Sequence, residues 1–216
     1  MGKAVKRLAS ERDDIHIAAE IDKNGSFSLS EIGRFKDADC AIDFSSHLIS
    51  CEVCERCSEI SLPLVMGTTG HTQSEISCIE RTAEKIPVFF SENMSFYMLL
   101  MRGFVRRCAE MTGEFDALIT ETHRKGKADT PSKTALMLKN EISAHSHGRV
   151  SPEIFSVRKD NCAGKHEIVF FGEDEEISLT HTCFDRIAYA RGAFEAAKFI
   201  VTKKNGLFSS DSLIYI

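Results

Sequence analysis

The chain has 216 residues, 43% of them hydrophobic and 27% charged, enough for one large domain or two small ones with cores of their own. A formal net charge of −5 argues against a nucleic-acid or anionic-membrane partner, and no apolar run approaches the roughly 20 residues of a membrane span. Met1-Gly2-Lys3-Ala4-Val5-Lys6-Arg7 has cations but no signal-peptide core after them, and Lys6 stands where a myristoylation signal needs Ser or Thr, so a cytoplasmic protein is expected.

Residues 2–12 carry Ala4, Val5, Leu8 and Ala9 on one helical face. The run 15–21 reads as a strand ending at Asp22-Lys23-Asn24-Gly25. In a dinucleotide-binding fold an acidic residue at the end of the second strand holds the ribose hydroxyls, so Asp22 is a candidate cofactor contact and Lys23 a candidate for a 2′-phosphate. An Asn-Gly turn after a strand accounts for the same residues without a ligand. A buried strand, 38–45, leads into a helix at 46–60 that carries Cys51, Cys54 and Cys57. An iron–sulfur or zinc site wants a fourth ligand at a matching spacing, which is missing, so these thiols are expected to be reduced and half-buried, with no metal bound.

Strand 62–66 delivers Gly67-Thr68-Thr69-Gly70, small and hydroxyl residues at the edge where a nicotinamide or ribose lies in such folds. Helix 73–85, strand 86–90 and the segment Ser91-Glu92-Asn93-Met94-Ser95 follow, then a helix at 96–112 and a short strand over 115–120. Beyond residue 135 come a helix, a strand at 153–158, a hairpin of 164–171 and 176–181, and a helix at 187–203 with the small residues Gly192, Ala193, Ala196 and Ala197. His166 and His181 read as interface or structural histidines rather than ligands.

The chain is organised around Glu121-Thr-His-Arg-Lys-Gly-Lys-Ala-Asp-Thr-Pro-Ser-Lys-Thr-Ala135, which reads as a polar loop between a strand and a helix. Thr130 can cap the helix, Pro131 suits its first position, and Ala135, Leu138 and Ile142 recur at helical spacing. The loop is then expected to present His123, Arg124, Lys125 and Lys127 ahead of free N–H groups at Ser132 to Thr134, a setting for carboxylates. A histidine four residues before a lysine supplies a proton-transfer group near neutral pH with a cation beside it. A solvated basic loop capping a helix is the plain alternative.

The run Glu-x-His-x-x-x-Lys-x-Asp-x-Pro-Ser-x-Thr-Ala resembles the signature of the 4-hydroxy-tetrahydrodipicolinate (dihydrodipicolinate) reductase family of diaminopimelate and lysine biosynthesis. The resemblance implies that His123 is the catalytic acid/base and Lys127 the proton donor. It places substrate binding at Arg124, Lys133 and Thr134. Arg124 stands where the family has a second His, and Lys133 where it has Gly between Ser and Thr. Ile42-Asp43-Phe44-Ser45 is similar to the family's Ile-Asp-Phe-Thr. Gly67, Thr68 and Thr69, with Ser91, Glu92, Asn93 and Met94, match its cofactor contacts and hinge, and Tyr97 stands where a glycine is usual.

The fold implied is α/β: a Rossmann-like dinucleotide-binding domain, N-terminally truncated, over residues 1–93 and 205–216, and an α+β substrate and tetramerisation domain with a mixed sheet over 94–204. The cofactor would be NADH or NADPH, the substrate a cyclic dicarboxylate, and the assembly a homotetramer. Met1-Gly2 lines up with the end of the family's Gly-Arg-Met-Gly, so the first strand and most of the phosphate loop are expected to be absent, with a true start upstream. Losing two or three charge-assisted hydrogen bonds of roughly 1.5–3 kcal/mol each would weaken cofactor binding by about two to five powers of ten. With Tyr97 and Lys133, that keeps open a second reading: a non-catalytic or cofactor-impaired descendant that retains an oligomeric dicarboxylate-binding domain.

Overall fold

Leu64-Val65-Met66 is buried on both faces, as a central strand of a parallel sheet must be. In the computed structural model, which describes residues 1–22, 27–111 and 115–213, it is strand β2 (Leu64–Met66) of a four-stranded sheet. Its neighbours are β1 (Ala41–Asp43) and β3 (Pro87–Phe90), with β8 (Gly206–Phe208) beyond β3, all parallel. Alternate side chains face opposite layers. Leu64, Met66 and Val88 join Val53, Cys54, Cys57, Cys78 and Ile79 from α2 (Ser50–Glu59) and α3 (Gln73–Ala83). Val65 and Phe89 join Ala193, Ala196 and Ile200 of α6 (Ile187–Ile200). Both helical layers are present, so the arrangement is the Rossmann-like α/β expected.

Two expectations change here. The strand at 15–21 does not form: Ile15, Ile17 and Ala19 are half-buried in alternation, but among the described residues the only pairing there is a bridge from Ile21 to Phe27. Alternation alone does not make a strand without a partner backbone, and among the described residues none lies on the outer edge of β1. The chain also divides into Met1–Ser95 with Tyr189–Ile216, and Phe96–Ala188. Residues 189–204 therefore go with the first unit rather than the second, because the small residues of α6 let it pack closely on β2 and β3. Lys23 lies outside the described residues. Helix α1 (Gly2–Ser10) buries Leu8 and Ala9, as its pattern predicted.

The second unit is a mixed sheet in the order β5-β4-β6-β7, backed by two helices. Strand β4 (Asp116–Arg124) runs parallel to β5 (Glu153–Lys159) and antiparallel to β6 (Gly164–Phe171), which pairs with β7 (Glu176–Cys183). Ala117 and Ile119 of β4, with Ile168 and Phe170 of β6, meet Met98, Met101 and Val105 of α4 (Phe96–Met111) and Ala135, Leu138 and Ile142 of α5 (Lys133–His145). Burying such side chains is worth about 1.5–3 kcal/mol each. Arg102 and Arg106 of α4 both reach Glu141 of α5, holding its carboxyl at about pKa 2 against the cost of burial.

Candidate active site

The expected strand at 115–120 runs on to Arg124, because β6 flanks it as far as Thr122 and β5 to its end: Glu121 lies opposite Ser156 and His166, and His123 opposite Arg158. His123 is therefore a strand residue, not a loop residue. It shares a face with Glu121, whereas Thr122 and Arg124 point to the other face. Arg124 is exposed and curls over Gly126, so it does not join the group its sequence position suggested.

Glu121 has no exposed surface. Its Oε1 accepts from Ser156 Oγ at 2.7 Å, Arg158 Nη2 at 3.1 Å and Ser132 N at 3.2 Å. Burial opposes the charge, but these donors outweigh it and hold the carboxyl at about pKa 2. The second oxygen, Oε2, lies 3.0 Å from His123 Nδ1, off the axis of a hydrogen bond. The His123 ring stands edge-on to that of His166, centroids 5.0 Å apart, and His166 Nε2 meets Ser132 Oγ at 3.2 Å.

Burial lowers the pKa of His123, Glu121 and Asp129 raise it, and Lys127 and Arg158 lower it. Burial, with His123 and His181 nearby, takes His166 down to about 4. At neutral pH both rings are therefore mainly uncharged. Ligand atoms of Glu121, His123 and His166 all lie within 4.8 Å of one another, a spacing a small cation can use. Arg158 and Lys127 already supply positive charge there, which favours reading the cluster as a proton site.

The helix start also differs from expectation. Ser132, not Thr130, caps α5, its Oγ accepting from Ala135 N at 3.2 Å. Thr130 Oγ1 is instead taken by Arg158 Nη2 at 2.7 Å. Two N–H groups expected to be free are engaged: that of Ser132 by Glu121, and that of Lys133 by Asp129 Oδ2 at 3.3 Å. Asp129 also binds Lys127 Nζ at 2.6 Å, which is the main reason its own pKa is depressed. A carboxylate of the chain thus sits where a ligand carboxylate was anticipated, gripped by one ammonium and one helix N–H. Lys133 is exposed, and Thr134, half-buried, follows in the first turn of α5.

Arg158, Ser156 and Asp129 had no role in the sequence reading. Arg158 and Ser156 reach the site only through the β4–β5 register, and nothing local to their own segment signals it. Tyr97, in the first turn of α4, is 69% exposed.

In the first unit, Thr69 and Gly70 are exposed beyond β2, and Gly70 N approaches Glu92 Oε1 at 3.5 Å beyond β3. Thr68 is buried, its hydroxyl donating to Asp43 Oδ2 at 2.7 Å, while Ser45 N and Oγ bind Asp43 Oδ1. A Cβ at Gly67 would stand 2.3 Å from the Phe44 ring, so any larger residue would force that ring to move. Ser91 Oγ donates to Asn93 O, Asn93 Oδ1 accepts from Ser95 N, and Met94 is in the core. These contacts shape the loops, and Asp22 is exposed. An open rim of small residues at the carboxyl edge of a parallel sheet fits a dinucleotide.

Two family models match the chain: dihydrodipicolinate reductase, N-terminus, over residues 1–94, and dihydrodipicolinate reductase, C-terminus, over residues 98–214. The chain is 32% identical over 236 residues to a 4-hydroxy-tetrahydrodipicolinate reductase of Caldanaerobacter subterraneus subsp. tengcongensis, covering 99% of this chain and 94% of that one. It is 34% identical over 226 residues to the enzyme of the same name from Anaeromyxobacter sp. (strain Fw109-5), covering 95% and 84%. A solved structure described as dipicolinate-bound dihydrodipicolinate reductase from Paenisporosarcina sp. TG-14 has the same fold, with a TM-score of 0.80 at 18% identity over 96% of this chain and 92% of that one.

Proposed function

The chain belongs to the dihydrodipicolinate reductase family and has its activity, reduction of 4-hydroxy-tetrahydrodipicolinate, and we propose that His123 and Lys127 manage the protons of that reaction. Substrate and product differ by the 4-hydroxyl, so one hydride and one proton enter and the hydroxyl leaves as water. Gly67 to Thr69 and Ser91 to Met94 would hold NADH or NADPH, which would supply the hydride. His123 is the acid/base, and its neutral imidazole at pH 7 can exchange a proton in either direction.

Lys127 and the first turn of α5, from Lys133 N to Thr134, hold a substrate carboxylate after Asp129 gives up its place. The observation that carries this reading is that grip on Asp129, because a group that holds one carboxylate in the resting chain can hold another. The dipicolinate of the structural relative is a cyclic dicarboxylate of the kind such a grip suits.

Phe155 and Val157, 54% and 42% exposed on the sheet face turned away from α4 and α5, fit a subunit interface in a cytoplasmic homotetramer. The test is NADH or NADPH oxidation with and without the cyclic substrate. Wild-type protein should oxidise cofactor only when substrate is present, and His123→Ala should lower kcat by about 10²–10⁴-fold. Unchanged kcat in that variant removes His123 from the reaction, and a monomer in sedimentation velocity removes the tetramer.

A further inference from the structure

We propose that Glu121 is a positioning residue for His123: its buried carboxylate orients the imidazole and raises its proton affinity, forming a carboxylate–histidine pair on one strand. The inference rests on the role given to His123 above and adds the group that sets it.

Three observations carry it. Glu121 is fully buried on the face of β4 that bears His123, with nothing between them but one residue pointing the other way. The three donors from Ser132, Ser156 and Arg158 all converge on Oε1, which leaves Oε2 without a hydrogen bond of its own and 3.0 Å from Nδ1. A rotation of the ring would align the pair, and catalytic hydrogen bonds are often tightened only when substrate binds. Finally, the edge of the imidazole carrying Nε2 lies against Gly164, where a Cβ would come within 3.4 Å of that nitrogen. The missing side chain leaves room beside Nε2.

With Nδ1–H directed at Oε2, the neutral ring keeps its Nε2 lone pair free for the reaction, and the imidazolium is stabilised when it forms. The charged and titratable groups facing His123 are Glu121 on its own strand, Lys127 and Asp129 in the following loop, Arg158 on β5 and His166 on β6. Glu121 is the closest anion among them, and the cations oppose it. Because Glu121 favours the protonated ring, neutralising it moves the pKa of His123 down. Whether His123 acts as acid or as base, the limb of the pH–rate profile that it governs must then shift to lower pH. A carboxylate with a purely structural role would move no limb.

Glu121→Gln is the direct experiment, since Gln keeps an oxygen for the Ser132, Ser156 and Arg158 donors. We expect the His123 limb of kcat/KM to shift down by about one pH unit or more, and Glu121→Asp to lie between Gln and wild type. An unmoved limb in a folded Glu121→Gln variant overturns the pairing. Should that variant fail to fold, 15N spectra of His123 in the wild-type protein decide the matter: Nδ1–H in the neutral ring supports the pairing, and Nε2–H contradicts it. His123→Ala separates the two readings. If it keeps full activity, the role of His123 fails, whereas a dead His123→Ala with an unmoved Glu121→Gln limb sinks only the pairing.

Discussion

His166 is held as an uncharged imidazole inside the site. It is 6% exposed, bonded through Nε2 to Ser132, and its pKa is held at about 4 against an ordinary 6.5. On acidification the unfolded chain takes up its proton first, so the stability contributed by the neutral ring is complete above pH 6.5 and is lost as the pH falls toward 4. A fall from pH 7 to pH 5 should cost about 2 kcal/mol through this residue, at 1.36 kcal/mol per pKa unit. Urea unfolding at the two pH values checks it: His166→Asn should lose that much less than wild type, and equal losses would show that the imidazole titrates normally. Glu121, with its pKa near 2, adds its own loss only at lower pH.

At the scale of the element, strand alternation decides which side chains of the signature meet. Glu121 and His123 share one face of β4 and Arg124 takes the other, so Arg124→Ala should change KM for the cyclic dicarboxylate by less than about twofold. A tenfold rise in steady-state KM would restore Arg124 to the binding site. The sequence made the helix face of α5 and the hairpin of β6 and β7 readable, because their periods of 3.6 and 2 are local.

The strand through His123 was not readable in the same way. Its length depends on partners more than 30 residues away, Ser156 and Arg158 on one side and His166 on the other. The same non-locality hid Arg158, and it produced the false strand at 15–21, where the alternation is real but, among the described residues, a single bridge from Ile21 to Phe27 is all that pairs with it. The N-terminus of α5 was found, but its N–H groups were expected to be free. Two are held by Glu121 and Asp129, contacts that need the tertiary fold to bring carboxylates back onto the helix.

For the whole molecule, the two units carry different groups. The parallel sheet ends in an open rim of small residues suited to a dinucleotide, and the mixed sheet carries the carboxylate–histidine cluster and the cation-and-helix grip on Asp129. Among the described residues no helix is long and apolar enough to cross a membrane. Both units match the corresponding halves of one reductase family, so the activity belongs to the chain as a whole, and the proton chemistry proposed for His123 and Lys127 would fall to the second unit. The most direct measurement is a crystal structure of the full chain with pyridine-2,6-dicarboxylate. One carboxylate should replace that of Asp129 between Lys127 Nζ and the first turn of α5 at Lys133 and Thr134, with the ring beside His123. A dicarboxylate bound elsewhere, with Asp129 still paired to Lys127, would contradict the account.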